Sequence, residues 1–144
     1  MGYPVAAIQT KIIERLRARV TLRTLLTGST APDWGIYDAD GVPVGRACPY
    51  VVTFPITNQK GEDFSFDADA MDTFQQVSIF TELRGMAQAR AIGAEVYDEF
   101  DQKALDLSAS GFNNYLLLFD QDQELAEDGT NQQLEQRYFI QTQG

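Results

Sequence analysis

The chain has no histidine among its 144 residues. That removes His-based nucleophilic triads, most general acid–base sites at neutral pH and most zinc sites. Its single cysteine, Cys48, has no partner for an internal disulfide and no imidazole to activate it. A lone thiol of this kind fits a reducing cytoplasm. No Gly-rich loop ends in Lys-Ser or Lys-Thr, and no dinucleotide fingerprint occurs. No apolar run approaches the roughly 18 residues that a membrane helix needs. The opening MGYPVAAIQTKIIERL is broken by charges, so it does not read as a signal peptide, and Ala6 spoils a myristoylation motif. Basic residues are also scarce after the first helix. Lys11, Arg15, Arg17, Arg19 and Arg23 fall before position 26, and 20 acidic but only six basic residues follow it. A chain with net charge -10 does not bind nucleic acid by neutralising phosphates across its whole surface.

What is present is regular apolar patterning over one domain, residues 1–144. Residues 74–100, FQQVSIFTELRGMAQARAIGAEVYDEF, read as a strand turning into an amphipathic helix. In the strand Phe74–Glu82, Val77 and Ile79 share one face and Gln76 and Ser78 the other. In the helix, Met86, Ala89, Ile92, Val96 and Phe100 form one stripe. A first helix is expected from Pro4 to Leu26, with Val5, Ile8, Ile12, Leu16 and Val20 buried and Thr27-Gly28 as its stop. Asp40-Gly41 signals a small hairpin. Pro49–Thr57 alternates as a strand whose prolines suit an edge or strand ends. Asn58–Asp72 reads as an acidic surface loop, Leu105–Ala109 as a short strand, and Asn114–Asp120 as a stronger one. Asp120–Gly129 then reads as a hairpin extension or turn, and Leu134, Tyr138 and Ile140 mark the final strand. The expected class is α+β: a mostly antiparallel sheet of about four to five strands, with two main helices packed on one face.

Carboxylates are the only abundant chemical groups. Asp38/Asp40, Asp67/Asp69 and Asp120/Asp122/Glu124 place oxygens at alternate positions, as calcium loops do, but none completes a twelve-residue loop. Two carboxylates could serve a glycosidase, yet nothing in the sequence selects a pair. No metal or other cofactor is expected, and the chain does not read as an enzyme.

Two features suggest a protein partner. Lys11, Arg15, Arg19 and Arg23 recur every four residues and form a slowly winding basic stripe. Like charges at this spacing oppose helix formation by a few tenths of a kcal/mol per pair, so acidic groups are expected opposite them. Those groups are either the chain's own acidic loops or a neighbouring copy's acidic segment, Asp67–Asp72 or Asp120–Asp128. Trp34, the only tryptophan, either closes over the core or anchors an interface. The candidate contact residues are thus Lys11, Arg15, Arg19, Arg23, Trp34, Asp67, Asp69, Asp72, Asp120, Asp122 and Glu124.

The order of segments resembles the tail-completion or tail-terminator proteins of long, non-contractile-tailed bacteriophages. The resemblance is carried by the opening helix VAAIQTKIIERL and by PYVVTFPI. It continues with FQQVSIFTE passing into AQARAIGAEVYDEF, and ends with the pair YLLLFDQDQELAEDGTNQQLEQRYFIQTQ, including Glu127-Asp128-Gly129 and Arg137-Tyr138-Phe139. It implies a structural virion protein, assembled in the host cytoplasm, that forms a hexameric ring at the head-proximal end of the tail tube. Such a ring contacts tube protein and the head–tail connector, stops tube growth and lets DNA pass without specific binding. An acidic lumen suits that role, because repelled phosphates do not stick. The alternatives are a head–tail adaptor or stopper, a small carboxylate-dependent hydrolase, and an acidic DNA mimic.

Overall fold

The computed structural model describes residues 4–26, 28–47, 49–60, 70–82, 86–111, 113–114, 116–127 and 131–143. Thr27, Cys48, Asp67, Asp69, Asp128 and Gly129 lie outside them. The elements run α1 (Val5–Ala18), α2 (Val20–Leu25), β1 (Ile36–Asp38), β2 (Tyr50–Lys60), β3 (Ala70–Glu82), α3 (Ala87–Phe100), β4 (Lys103–Ala104), β5 (Asn113–Asn114), β6 (Leu116–Glu127) and β7 (Asn131–Gln143). One mixed sheet has the order β1-β2-β3-β7-β6-β4, with β5 beside the end of β7. All pairs but one are antiparallel; β1 runs parallel to β2. The expected α+β class stands. Among the described residues the strands number seven rather than four to five, three of them only two or three residues long, and the α-helices number three.

The sheet buries one face under the helices. Val77 and Ile79 of β3, Leu134, Tyr138 and Ile140 of β7, and Val51 of β2 meet Ile8, Ile12 and Leu16 of α1 and Ala89, Ile92, Val96 and Phe100 of α3 in one core. The register agrees: Ile79 stands opposite both Val51 and Leu134. Helix α3 seats closely at Gly93, where an added Cβ would lie 2.6 Å from Leu134 Cδ2. The Gly93 carbonyl accepts a 3.0 Å hydrogen bond from Gln136 Nε2, and Gln136 Oε1 accepts one from buried Tyr138. A polar patch seats α1: Gln9 Nε2 donates to the Thr53 carbonyl at 2.7 Å and to Asp38, and Gln75 Nε2 donates to Thr53 Oγ1 at 3.0 Å and to Gln9.

Several expected elements differ. The first helix is interrupted at Arg19, whose backbone is extended (ψ 104°). The sequence Arg19-Val20-Thr21 brings two β-branched residues with poor helix propensity at that point. The break shifts the phase, so Leu22 and Leu26 enter the core and Val20 is 62% exposed. The Asp40-Gly41 turn forms, with Gly41 N–H bonded to the Asp38 carbonyl at 3.0 Å, but it leads to no hairpin because β1 pairs in parallel with β2. Leu105–Ala109 is not a strand. Leu105 and Leu107 plug the core after the short β4, and a 3-10 turn follows at Ser108–Ser110. Asp120–Glu127 extends the β6–β7 hairpin, the first of the two expected alternatives, and β2 and β3 take up both ends of the expected 58–72 loop, whose middle lies outside the described residues.

Candidate assembly surfaces

The basic stripe meets α3. Arg15 presents its fork to Glu99, with Nε and Nη2 donating to Oε2 at 2.9 and 2.6 Å. It also donates to the Glu99 carbonyl at 3.0 Å and to the Ala104 carbonyl at 2.7 Å. Its guanidinium lies 5.4 Å from the centre of the Phe100 ring. Arg19 bridges Glu95 at 3.1 Å and Glu99 at 3.2 Å, and the Thr21 hydroxyl donates to Glu95. The side chains of this cluster are only 17–25% exposed. Burial opposes the charge on Arg19, but hydrogen bonds and charge from Glu99 and Glu95 outweigh it and raise its pKa. Glu95 is held below the usual carboxylate range by the Thr21 hydrogen bond, with Arg19 adding to it against burial. The extended backbone at Arg19 thus lies within a clamp joining α1 to α3. Sequence reading missed Glu95 and Glu99. Their signal was available, two acids four apart on one helix, matching two arginines four apart on another.

The other basic groups act locally. Arg17 donates to the Ile36 carbonyl at 2.7 Å, tying α1 to β1, and Lys11 reaches Glu14 at 3.6 Å. Arg23 lies 4.4 Å above the Trp34 ring. Trp34 adopts a positive φ of 56°, unfavourable for a bulky side chain, and packs partly against the core. Arg23 and Trp34 therefore form one half-exposed corner. On the opposite flank, Arg90 of α3 makes a bidentate bridge to Glu124 of β6 at 2.6 and 2.7 Å. The register of β6 against β7 slips between Phe119 and Gln121, leaving Asp120 as the bulge, and its carboxylate takes Arg137 Nε at 3.0 Å. Asp122 lines a groove of about 380 Å³ with Tyr97 and Phe119. Asp72 accepts from Gln141 Nε2 at 2.8 Å. Among the described residues, no three acidic or cysteine side chains come together as a metal site would need.

The far face of the sheet carries no helix. Alternation places on it Tyr50, Val52, Phe54 and Ile56 of β2, and Phe74, Gln76, Ser78 and Phe80 of β3. It adds Gln133, Glu135, Arg137, Phe139 and Gln141 of β7, and Leu116, Leu118, Gln121 and Gln123 of β6. Tyr50 stacks on Phe80 at one end, sheltered by Ala39 and Val42 of the β1–β2 connection. At the other end Phe74 meets Phe139 at 5.2 Å between ring centres, and Leu116, Leu118, Phe139 and Gln141 line a shallow cavity of about 590 Å³. Leu116 and Leu118 are 46% and 41% exposed.

The ionic groups on the helix side serve as internal braces, and the helix-free sheet face carries Asp72, Glu82, Glu135 and Arg137 among aromatic, aliphatic and glutamine side chains. The chain belongs to the tail completion protein gp17 family, whose sequence model matches residues 10–138. It is therefore a structural protein of a phage-type tail, in a family that is not enzymatic. Its fold is similar to that of a chain from the virion of a native gene transfer agent particle. The TM-score is 0.79 at 22% identity, over 99% of this chain and 100% of that one. No curated protein sequence matches it. No helix among the described residues is long and apolar enough to cross a membrane.

Proposed function

We propose that the protein is a tail terminator. In this reading it forms a hexameric ring at the head-proximal end of the tail tube, stops tube polymerisation, joins the tube to the head connector, and lets DNA pass through its lumen. The carrying observation is the family match across residues 10–138, supported by a fold match that spans both chains. A ring needs a heterologous contact, in which one patch meets a different patch on the next copy. Arg15 and Arg19 are engaged within the chain. The contact is therefore assigned to the Arg23–Trp34 corner of one copy and the acidic β6 flank around Asp122 of the next.

The test is to add the purified protein to polymerising tube protein and measure tube lengths by negative-stain imaging, with particles lacking the protein as the in vivo counterpart. Capped, shortened tubes in vitro and overlong, headless tails in vivo are expected. Tubes of unchanged length, with the protein bound to the portal assembly instead, would replace this reading with an adaptor role.

A further inference from the structure

We infer that the Arg23 guanidinium of one copy enters the groove between α3 and β6 of the next, where Asp122 pairs with it and the Tyr97 ring lies against it. The inference rests on the ring reading above and names the side chains of its subunit contact.

The first observation is a basic cluster without acids of its own. Three arginines converge on residues 34–36. Arg23 lies over the Trp34 ring, a Cβ at Gly35 would meet Arg46 Nη2 at 2.9 Å, and Arg17 donates to the Ile36 carbonyl. Arg46 also donates to the Pro49 carbonyl at 3.3 Å. Carbonyls satisfy donors but leave the charge uncompensated. Among the described residues none of these three arginines has a carboxylate partner, whereas Arg15, Arg19, Arg90 and Arg137 each have one. Asp33 adjoins the cluster in sequence, and Asp38, at the far end of β1, is engaged by Gln9. Arg23 donates no hydrogen bond to any described residue, so its fork is free while Trp34 backs its face.

The second is a groove of the opposite sign. The space of about 380 Å³ between α3 and β6 is walled by Ala94, Tyr97, Phe119 and Leu134. Tyr97 is 40% exposed and stands edge-on to Phe119 at 5.3 Å. Glu124 is spent on Arg90 and Asp120 on Arg137, but Asp122 has no cation among the described residues. Asp98 and Asp101 add to it, with Lys103 two residues further on as the nearest other cation in sequence. Burial raises the pKa of neighbouring Tyr138, and Asp101, Tyr97, Asp122 and Asp98 raise it further, which reflects the negative potential of this flank. An aromatic wall beside a free carboxylate suits arginine, whose planar fork pairs with carboxylates and stacks on rings.

The third is placement. Cluster and groove lie at opposite ends of the strand order, β1 and β6, four strand spacings or about 19 Å apart along the sheet. Helix α3 also separates them: Glu95 and Glu99 face α1 and α2, while Tyr97 faces β6. One copy cannot close its own cluster onto its own groove. Two unlike patches, complementary in charge and unable to meet within a chain, are what a heterologous contact joins.

The experiment uses the full chain with Arg23→Glu, Asp122→Arg, the double variant, and an equimolar mixture of the two single variants. Glu14→Arg, at an exposed site on α1 and with the same change of charge as Asp122→Arg, is the control. Thermal melts establish that each protein folds, and Asp122→Asn serves as a milder variant. Light scattering after size exclusion reads assembly mass, and the tube-length assay reads capping. A wild type of six times 16.1 kDa, or one that assembles only on tubes and caps them, is the reference. Each single reversal should weaken that assembly by at least about tenfold, because like charges then oppose at every contact. Glu14→Arg should leave it unchanged. The double variant should recover, and so should the mixture, because in an alternating ring every contact again joins a corner and a groove of opposite sign. A merely structural role for either side chain would not give recovery on mixing. Folded single variants that assemble like the wild type, or a double variant or mixture that fails to recover, would overturn the pairing while a capping wild type keeps the terminator role. Variants of unchanged mass that lose binding to duplex DNA would assign the arginines to phosphate and overturn it equally. A wild type that neither forms the ring nor caps tubes would overturn both readings.

Discussion

Arg15→Ala tests whether the α1–α3 clamp is part of the fold. The substitution removes four donated hydrogen bonds, two to the Glu99 carboxylate and one each to the Glu99 and Ala104 carbonyls. It leaves a carboxylate whose side chain is only 17% exposed, with Arg19 as its remaining partner. An exposed ion pair contributes about 0.2–1 kcal/mol. A hydrogen bond to a charged group contributes about 1.5–3 kcal/mol, and breaking one side of a buried pair costs more than the pair was worth. Arg15 is itself a quarter exposed, so water relieves part of the loss. The expected cost is about 2–3 kcal/mol, which lowers the melting midpoint by about 6–9 °C in a chain of this length. The assay is thermal and denaturant unfolding of Arg15→Ala, Glu99→Gln and the double variant. A coupling energy above about 1 kcal/mol is expected, because the two side chains act on one another. Reversing both Arg15 and Arg19 to glutamate should unfold the monomer at ordinary temperature, since it adds two carboxylates opposite Glu95 and Glu99. A midpoint unchanged by Arg15→Ala, or a cost independent of Glu99, would refute the reasoning.

Two further predictions concern the same region. Leu22→Ala should cost about 2–4 kcal/mol by leaving a cavity, whereas Val20→Ala should stay within about 0.5 kcal/mol, because the helix break buries the first and exposes the second; comparable costs in denaturant unfolding would mean that the helix continues unbroken. Glu95 has a folded pKa below its ordinary value of 4.5, so the unfolded chain binds its proton first as pH falls. Its contribution is present above that value and lost as pH drops through the folded pKa. Glu95→Gln should accordingly flatten the fall of stability below about pH 4.5, and an unaltered slope would remove Glu95 from the clamp.

Much of the fold was legible because burial has a period. The stripe Ile8, Ile12, Leu16 and the stripe Ala89, Ile92, Val96, Phe100 are the observed helix cores, and Val77 with Ile79 and Leu134 with Tyr138 and Ile140 are the observed inner strand faces. Periodicity says nothing of phase breaks or of partners distant in sequence. The interruption at Arg19 follows from a contact with residues 76 and 80 positions away. The parallel pairing of β1 depends on where α2 delivers the chain, and Leu105 reads like a strand residue because a buried plug and a buried strand are equally apolar. At the candidate site, the arginine stripe was recognised as needing acids, but helix α3 supplies them rather than an acidic loop. The open sheet face escaped notice because its glutamines and aromatics looked like ordinary strand alternation.

Gly93 gives helix α3 a mechanical character. The helix is about 21 Å long and touches the sheet backbone-close at one point near its middle. On one side of that point Arg90 is bolted to Glu124, and on the other Glu95 and Glu99 are bolted to Arg15 and Arg19. A beam fastened on both sides of a fulcrum transmits tilt. Any side chain placed at 93 would lift the fulcrum and load both sets of bolts together.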